Sequence, residues 1–176
     1  AGAEGNMEDG LEAISQILKV RGRVIPSTME DISLMAEMTD GTTVVGESDI
    51  PKARKRISRM NMLPNDAKAS KGAIEAIMEA DLIVLGPGSL YTSVIPNLLV
   101  EGIRDALVKS KARKIYICNV MTQPGETDGY SVFNHINAIL SHGDDQRLIN
   151  AVLVNDYLPD NISEKYAEAG SYPVKI

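Results

Sequence analysis

The stretch DLIVLGPGSLYTSVIPNLLV, residues 81–100, leads from an apolar run into small and hydroxyl-bearing residues. Leu82–Leu85 are all apolar and continue directly into Gly86-Pro87-Gly88-Ser89. A short apolar run bounded by Gly and Pro is typical of a buried strand. The spacing after it predicts a helix over 93–109. The stretch therefore predicts a strand, a tight loop and a helix, which is the beginning of a βαβ unit.

The same alternation continues along the second part of the chain. Helices are predicted over 70–80, 132–140 and 161–169, and strands over 114–119, 149–154 and 172–176. Strands that alternate with helices in this way indicate an α/β fold with a mainly parallel sheet. The strand segments LIVL and AVLV are apolar at every position. We therefore expect helices on both faces of that sheet.

The first part of the chain has a different pattern of apolar and polar residues. Asp40-Gly41 lies between the runs 34–38 and 43–47, which is the pattern of a β-hairpin with an Asp-Gly turn. Residues 57–62 alternate between apolar and polar and predict a further strand that stops at Pro64.

Two more elements are predicted before the hairpin. Apolar residues at helical spacing predict a helix over 7–20, and a short strand is predicted over 24–26. Together these patterns predict a single α/β domain over 1–176, with a β-hairpin inserted at about 32–62.

Composition limits the classes of function. The chain has 176 residues and a formal net charge of −6, which argues against a general nucleic-acid binder, because such a protein needs a basic face. The basic cluster Lys52-Ala53-Arg54-Lys55-Arg56 is interpreted as a solvated strand edge or loop. No apolar run reaches the ~18 residues needed to cross a bilayer, and no signal peptide opens the chain. We therefore expect a cytoplasmic protein with no membrane partner.

The sequence favours neither a metal site nor nucleophilic catalysis. The single cysteine, Cys118, lies in an apolar run, where a buried and unreactive thiol is expected. His135 and His142 have no cysteine partners and no HExxH spacing, and no GxSxG motif is present. We assign no catalytic residue and no metal ligand.

The loop after the strand Leu82–Leu85 has the residues of an anion site. Gly86 and Gly88 permit close approach of a ligand, and Ser89, Thr92 and Ser93 supply hydroxyl groups. Backbone amides at the start of a helix also carry partial positive charge. The alternative is a tight turn in which a serine caps the helix, since neither a Walker lysine nor a GxGxxG pattern is present.

A second polar loop, NVMTQPGETDGY, follows the next strand and spans residues 119–130. Asn119 can hydrogen-bond a base or a sugar, whereas Glu126 and Asp128 can accept from ribose hydroxyls or hold a metal through water. The alternative is a solvated loop whose polar side chains cap the following helix. Ligands bind beyond the carboxyl ends of parallel strands, so both loops are candidate parts of one site.

Two long segments, 80–100 and 114–139, closely resemble the YvcK/GlmR family of bacterial gluconeogenesis factors. Shorter motifs such as VRGRVIPST and GESDIPKARKRISR extend the resemblance from about residue 7 to the end. The family shares its fold with CofD, the 2-phospho-L-lactate transferase of deazaflavin-coenzyme synthesis. The resemblance implies a Rossmann-like CofD-type three-layer fold with a mainly parallel sheet.

The resemblance also implies a function. Members are regarded as regulators that bind UDP-sugars, chiefly UDP-N-acetylglucosamine, and that link carbon metabolism to cell-wall precursor supply and cell shape. It implies no cofactor, and a glucosamine-synthesis enzyme or a second copy of the chain as protein partner. The ligand residues that match the family are Gly86, Gly88, Ser89, Leu90, Tyr91, Thr92, Asn119, Thr122, Gly125, Glu126, Thr127 and Tyr166.

The sequence leaves two alternatives and one expectation about the length of the chain. Tyr166 matches a family tyrosine that we place against the uracil, but packing in the core beside Ile162 is an alternative role. A CofD-like transferase that uses Mg²⁺ is an alternative function, for which Glu126 and Asp128 are the nearest carboxylates. The family's amino-terminal GGGTG half and its carboxyl-terminal segment are absent, so we expect the chain to be part of a larger protein.

Overall fold

The computed structural model describes residues 22–157 and 161–176. The helix predicted over 7–20 lies outside the described residues. Within them, the chain forms two three-stranded sheets with helices packed between and beside them.

The first sheet is antiparallel and contains the predicted hairpin. Strands β1 (Ser33–Met38) and β2 (Thr43–Val45) pair across the Asp40-Gly41 turn, with Met35 opposite Val45. Strand β3 (Ile57–Leu63) adds to the other side of β1, and the short helix α1 (Asp49–Lys52) connects β2 to β3. The strand over 57–62 is therefore confirmed, and it forms a three-stranded sheet with the predicted hairpin.

The second sheet is parallel, with the order β4 (Leu82–Leu85), β5 (Arg113–Ile117), β6 (Ala151–Leu153). Leu85 lies opposite Tyr116, and Tyr116 lies opposite Val152, so the carboxyl ends of neighbouring strands lie together. The predicted α/β class with a parallel sheet is confirmed.

The described helices cover one face of the parallel sheet. Leu85 and Tyr116, on this face, are buried in the common core, whereas Leu82 and Val84, on the other face, remain 52% and 47% exposed. Leu153 on β6 is also exposed, at 60%. The expectation of helices on both faces is therefore not met within the described residues.

The helices lie near the predicted positions, except that two helices replace the single one predicted over 93–109. They are α2 (Lys71–Glu79), α3 (Ile95–Leu99), α4 (Ile103–Lys109), α5 (Val132–Gly143) and α6 (Glu164–Ala169). Ser70 caps α2 by accepting from the Ala73 amide, and Ser131 and Asn134 form a capping box on α5. Helix α3 contacts both β3 and α5, so it joins the two sheets through one core.

The single helix predicted over 93–109 is wrong. Leu90–Val94 form a π-helical turn, α3 follows it, and the chain then breaks before α4. The break occurs because the backbone of Glu101 pairs with a neighbouring segment: its amide donates to Ala67 and its carbonyl accepts from Ala69. A tertiary contact therefore overrides the local helical pattern.

Two predicted strands are absent from the described structure. Residues 24–26 are not in a ladder; instead the carbonyl of Pro26 accepts the hydroxyl of Ser70 at the start of α2. Residues 172–176 make only isolated bridges, from Pro173 to Met121 and from Lys175 to Ser131. Proline lacks the amide that a continuous ladder requires, so Pro173 interrupts pairing along residues 172–176.

Candidate functional site

Parallel pairing of β4 and β5 places the two polar loops side by side. Leu85 and Tyr116 are opposite each other near the strand ends, and both chains leave the sheet in the same direction. The approach is close at Gly86, which has a φ of +80° and where a Cβ would lie 3.0 Å from the carbonyl oxygen of Ile117. A glycine is therefore required here for the loops to meet.

The first loop differs from a simple helix-start anion site. Its helical part consists of a five-residue π turn and a five-residue α-helix, so few peptide dipoles align behind the loop. The side chain of Ser89 does not cap this turn, although its carbonyl accepts the amides of Ser93 and Val94. The serine side-chain cap of the tight-turn alternative is therefore not formed, and the anion site stays a prediction.

A hydrogen-bonded chain connects the two loops instead. The side-chain amide of Gln123 donates to the hydroxyl of Ser89 at 2.7 Å. The side-chain amide of Asn119 in turn donates to the side-chain carbonyl of Gln123 at 3.3 Å. The carbonyl oxygen of the Asn119 side chain is buried and has no partner among the described residues. A buried acceptor without a partner is costly, so this oxygen is suited to a donor on a ligand.

Glu126 forms a second connection. Its carboxylate accepts from the backbone amide of Tyr91 at 3.2 Å and from the hydroxyl of Thr92 at 3.1 Å. The side chain is only 5% exposed, and burial raises its pKa, while the hydrogen bonds from Thr92 and Tyr91 act in the opposite direction. Glu126 thus fixes the position of the first loop, and each of its carboxylate oxygens accepts a hydrogen bond from that loop.

Aromatic and imidazole rings support this arrangement. The hydroxyls of Tyr91 and Tyr130 are 2.8 Å apart, and the ring of Tyr91 also packs edge-on against His142. Burial raises the pKa of the Tyr91 hydroxyl, so this hydroxyl stays protonated at neutral pH. His142 accepts the amide of Met60 on β3 through Nε2. These contacts connect the loops to the antiparallel sheet.

Three more predicted residues have internal partners. The Thr127 hydroxyl accepts the backbone amide of Gln123 at 2.8 Å, and Gly125 packs directly against the backbone of Pro51. The backbone amide of Thr122 donates to the Tyr172 carbonyl at 2.7 Å. Leu90 is fully buried. These residues shape the loops, and the residues of the set that retain accessible surface in them are Gly86, Gly88, Ser89, Thr92 and Asn119.

Tyr166 lies apart from the two loops. It is on α6 and 51% exposed, which excludes the alternative role of core packing. The carbonyl of Tyr166 accepts the amide of Ser171, and no hydrogen bond or ring contact joins its side chain to either loop among the described residues. Its predicted place against a uracil stays a prediction.

Two cavities adjoin the loops. One, of about 410 Å³, lies beside Gly86 and Gly88 and is otherwise lined mainly by apolar side chains of β4 and the neighbouring helices. The other, of about 520 Å³, lies between the second loop and the carboxyl-terminal residues; its walls are Thr122, Gly129, Tyr130, Ser131, Ile162, Tyr172, Pro173 and Lys175. Sequence reasoning did not single out Tyr172 and Lys175, because only the fold brings them to the second loop.

The described residues contain no group of three or more His, Cys, Asp or Glu side chains placed to hold a metal. Asp128 accepts the Gly125 amide, and Glu126 is engaged as above, so these two carboxylates do not fit a Mg²⁺ site as they stand. Cys118 is buried as expected, and burial raises the pKa of its thiol. None of the described helices has the length and apolar character that a membrane span requires.

Comparison with known proteins agrees with this architecture. The profile of the family described as 2-phospho-L-lactate transferase CofD matches residues 1–176. The chain belongs to the CofD family. Its Rossmann-like fold is shared with a crystal structure of a Bacillus halodurans protein of the UPF0052 family, with a TM-score of 0.90 at 49% identity, covering 96% of this chain and 55% of that one.

Similar proteins carry a common name. The gluconeogenesis factor of Halalkalibacterium halodurans is 49% identical over 173 residues, covering 98% of this chain and 53% of that protein. The gluconeogenesis factor of Bacillus subtilis is 44% identical over 171 residues, covering 97% of this chain and 54% of that protein. The resemblance inferred from the two loop motifs is therefore confirmed, and the chain spans about half the length of these relatives.

Proposed function

We propose that this protein is a regulatory protein that binds UDP-sugars, chiefly UDP-N-acetylglucosamine, and links gluconeogenic growth to cell-wall precursor supply and cell shape. The similarity to proteins named gluconeogenesis factor supports the regulatory part. The ligand part is supported by one structural observation, the buried and unpartnered side-chain oxygen of Asn119 at the meeting point of the two loops.

The chemistry of uracil matches this oxygen. The N3–H of uracil is a donor and completes the hydrogen bonding of the Asn119 oxygen, while the Asn119 amide stays oriented by Gln123. Cytosine has an acceptor at N3, which leaves two acceptors facing each other. A site built around a specific hydrogen bond rejects a ligand that lacks the donor much more strongly than an apolar pocket does. The proposed site therefore prefers uridine over cytidine nucleotides.

A Mg²⁺-dependent transferase is the second candidate, because the matching family is described by a transferase activity. The engagement of both Glu126 oxygens within the protein favours binding over phosphoryl chemistry. Titration with and without Mg²⁺ separates the two candidates.

Calorimetric titration of the full-length protein with UDP-N-acetylglucosamine and with CDP, each with and without Mg²⁺, tests the proposal. We expect binding of the UDP-sugar, weaker binding of CDP, no need for Mg²⁺ and no turnover. Asn119→Ala should weaken UDP-sugar binding about tenfold and reduce the preference over CDP. Asn137→Ala, at an exposed position of α5, is the matched control. Absence of binding would refute the proposal, and Mg²⁺-dependent turnover would support the transferase.

A further inference from the structure

A strongly basic segment joins α1 to β3. Residues 50–65 contain five lysine and arginine residues and no aspartate or glutamate, although the net charge of the whole chain is −6. All five basic side chains are exposed; they are Lys52, Arg54, Lys55, Arg56 and Arg59. The structure therefore concentrates positive charge on one part of its surface. We call the three arginines of this segment, Arg54, Arg56 and Arg59, the arginine patch.

The two lysines of the segment are neutralised within the protein, whereas the arginines are not. Lys52 pairs with Asp49 at 2.9 Å, and Lys55 pairs with Asp40 at 2.8 Å. Among the residues that the structure describes, no ion pair joins the arginine patch to a carboxylate. Guanidinium groups form bidentate hydrogen bonds with carboxylates, so these three groups are available to carboxylates of another molecule.

A β-bulge turns Arg59 towards solvent. Met38 lies opposite Ile57 and Glu37 lies opposite Arg59, so the residue between them, Ser58, has no partner on β1. Side chains alternate between the two faces of a strand, and without the bulge Arg59 would therefore share the buried face of Ile57. The extra residue in β3 thus places a charged side chain at the surface.

Arg54 is held in a backbone conformation that favours glycine. Its φ is +47°, in the left-handed region. The turn ends α1, and the Arg54 amide donates to the carbonyl of Pro51 at 3.2 Å, a bond that glycine would form equally well. The turn itself therefore does not need an arginine, and the exposed guanidinium is better explained by a contact outside the chain.

The arginine patch adjoins the second loop. The Cζ atom of Arg56 lies 6.0 Å from the centre of the Tyr130 ring. Pro51 of α1 packs against Gly125, where a Cβ would lie 2.0 Å from the Pro51 carbonyl oxygen. A molecule bound to the patch would therefore contact a segment that is fixed against one loop of the candidate site.

We propose that the arginine patch docks an acidic segment of a partner protein, whose carboxylates pair with Arg54, Arg56 and Arg59. Three guanidinium groups within six residues suit Asp and Glu side chains on one face of a short helix or peptide. A long polyanion such as nucleic acid fits less well, because the patch is short and the net charge of the chain is negative. This surface is separate from the UDP-sugar site and goes beyond the proposed function.

Fluorescence anisotropy of a labelled helical peptide of about 15 residues, with glutamates on one face, measures binding to the full-length protein. We expect binding at about 50 mM NaCl that weakens at about 500 mM, and no binding of the same peptide with glutamine in place of glutamate. Arg54→Gln, Arg56→Gln and Arg59→Gln should each weaken binding about threefold, and together about thirtyfold.

The matched control removes the same charge elsewhere. Arg104, Lys111 and Lys165 are exposed and make no ion pair within the described part of the chain. Their combined replacement by glutamine should weaken peptide binding less than about threefold, through the change in net charge alone. Equal losses in the two triple variants, or no binding of the glutamate peptide to the wild type, would refute the proposal.

Arg54→Gly separates a binding role from a structural one. Glycine suits a φ of +47°, so this variant should unfold at no lower urea concentration than the wild type, yet bind the peptide about threefold more weakly. A less stable variant with unchanged peptide binding would show that Arg54 serves the fold, and the assignment would be wrong.

Two further ligands identify the partner class and keep the two proposals apart. UDP-N-acetylglucosamine should bind the triple arginine variant and the wild type equally well, and a loss of this binding with unchanged peptide binding would assign the patch to the ligand site. A single-stranded oligonucleotide of about 20 nucleotides that binds the patch more tightly than the peptide would assign it to nucleic acid. A wild type that binds the peptide and no UDP-sugar would refute the proposed function and support the docking surface.

Discussion

The carboxylate of Glu126, in the loop after β5, accepts a hydrogen bond from the backbone amide of Tyr91, in the loop after β4. The bond is buried and crosses between neighbouring parallel strands, so it fixes the position of one loop relative to the other. The second carboxylate oxygen accepts the hydroxyl of Thr92. A side chain expected to contact a ligand therefore also holds the site in shape.

Removal of this carboxylate should destabilise the fold. Glu126→Ala leaves the Tyr91 amide buried without a partner, which costs about 1–3 kcal/mol in the free energy of unfolding. Glu126→Gln should cost less, because its carbonyl can still accept from Tyr91 and its amide can donate to the Thr92 oxygen. Urea unfolding measures the difference. Glu79→Ala, at the exposed end of α2, is the control and should change stability by less than about 0.5 kcal/mol. Equal effects of the Ala and Gln variants would contradict the role of the Tyr91 bond.

Two glycines in the second loop allow the cost of a steric clash to be measured apart from the cost of a left-handed backbone conformation. Both adopt a positive φ, +82° at Gly125 and +69° at Gly129. A Cβ at Gly125 would lie 2.0 Å from the carbonyl oxygen of Pro51, whereas a Cβ at Gly129 would meet nothing within 4 Å. Gly129→Ala should therefore cost only about 1–2 kcal/mol, the cost of the left-handed conformation.

Gly125→Ala should cost clearly more, because the backbone of α1 must also move away from the loop; we expect more than about 3 kcal/mol in the free energy of unfolding. Chemical denaturation of the two variants in parallel provides the measurement. Similar losses for the two would mean that α1 does not pack firmly against the second loop.

His142 makes the stability of the fold depend on pH. Burial lowers its pKa below the ordinary value of about 6.5, and its Nε2 must stay unprotonated to accept the Met60 amide. Below pH 6.5 the unfolded chain binds a proton that the folded protein does not bind. The free energy of unfolding therefore falls as the pH decreases from about 6.5 towards the pKa of the folded state.

His142→Gln should abolish this contribution. The variant should be less stable than the wild type at pH 7.5, and the gap should narrow by up to about 1.4 kcal/mol per pH unit below pH 6.5. Urea unfolding of both proteins at pH 7.5, 6.5 and 5.5 tests this. The comparison cancels the contributions of His135 and Glu126, which both proteins retain. A constant gap across the three pH values would show that His142 does not titrate in this way.

The sequence predicted most of the regular structure correctly because those elements are specified locally. Asp40-Gly41 defines its hairpin by turn chemistry, and Leu82–Leu85 define a strand by an apolar run between breakers. The predictions failed where a distant segment decided the outcome. Helix 93–109 is interrupted because Glu101 pairs with residues near Ala67, more than thirty positions earlier.

The same distinction between local and distant determinants applies to the candidate site. Sequence alone determined that two loops rich in glycine, hydroxyl and amide groups follow neighbouring parallel strands, since both the residue types and the βαβ order are local properties. Only the tertiary structure decided which of those groups are used internally, because burial and hydrogen-bond partners depend on residues far away in the chain. Thus Glu126 is engaged by Tyr91, Asn119 keeps an unpartnered oxygen, and Tyr172 and Lys175 reach the second loop through backbone bonds that no periodicity in the sequence encodes.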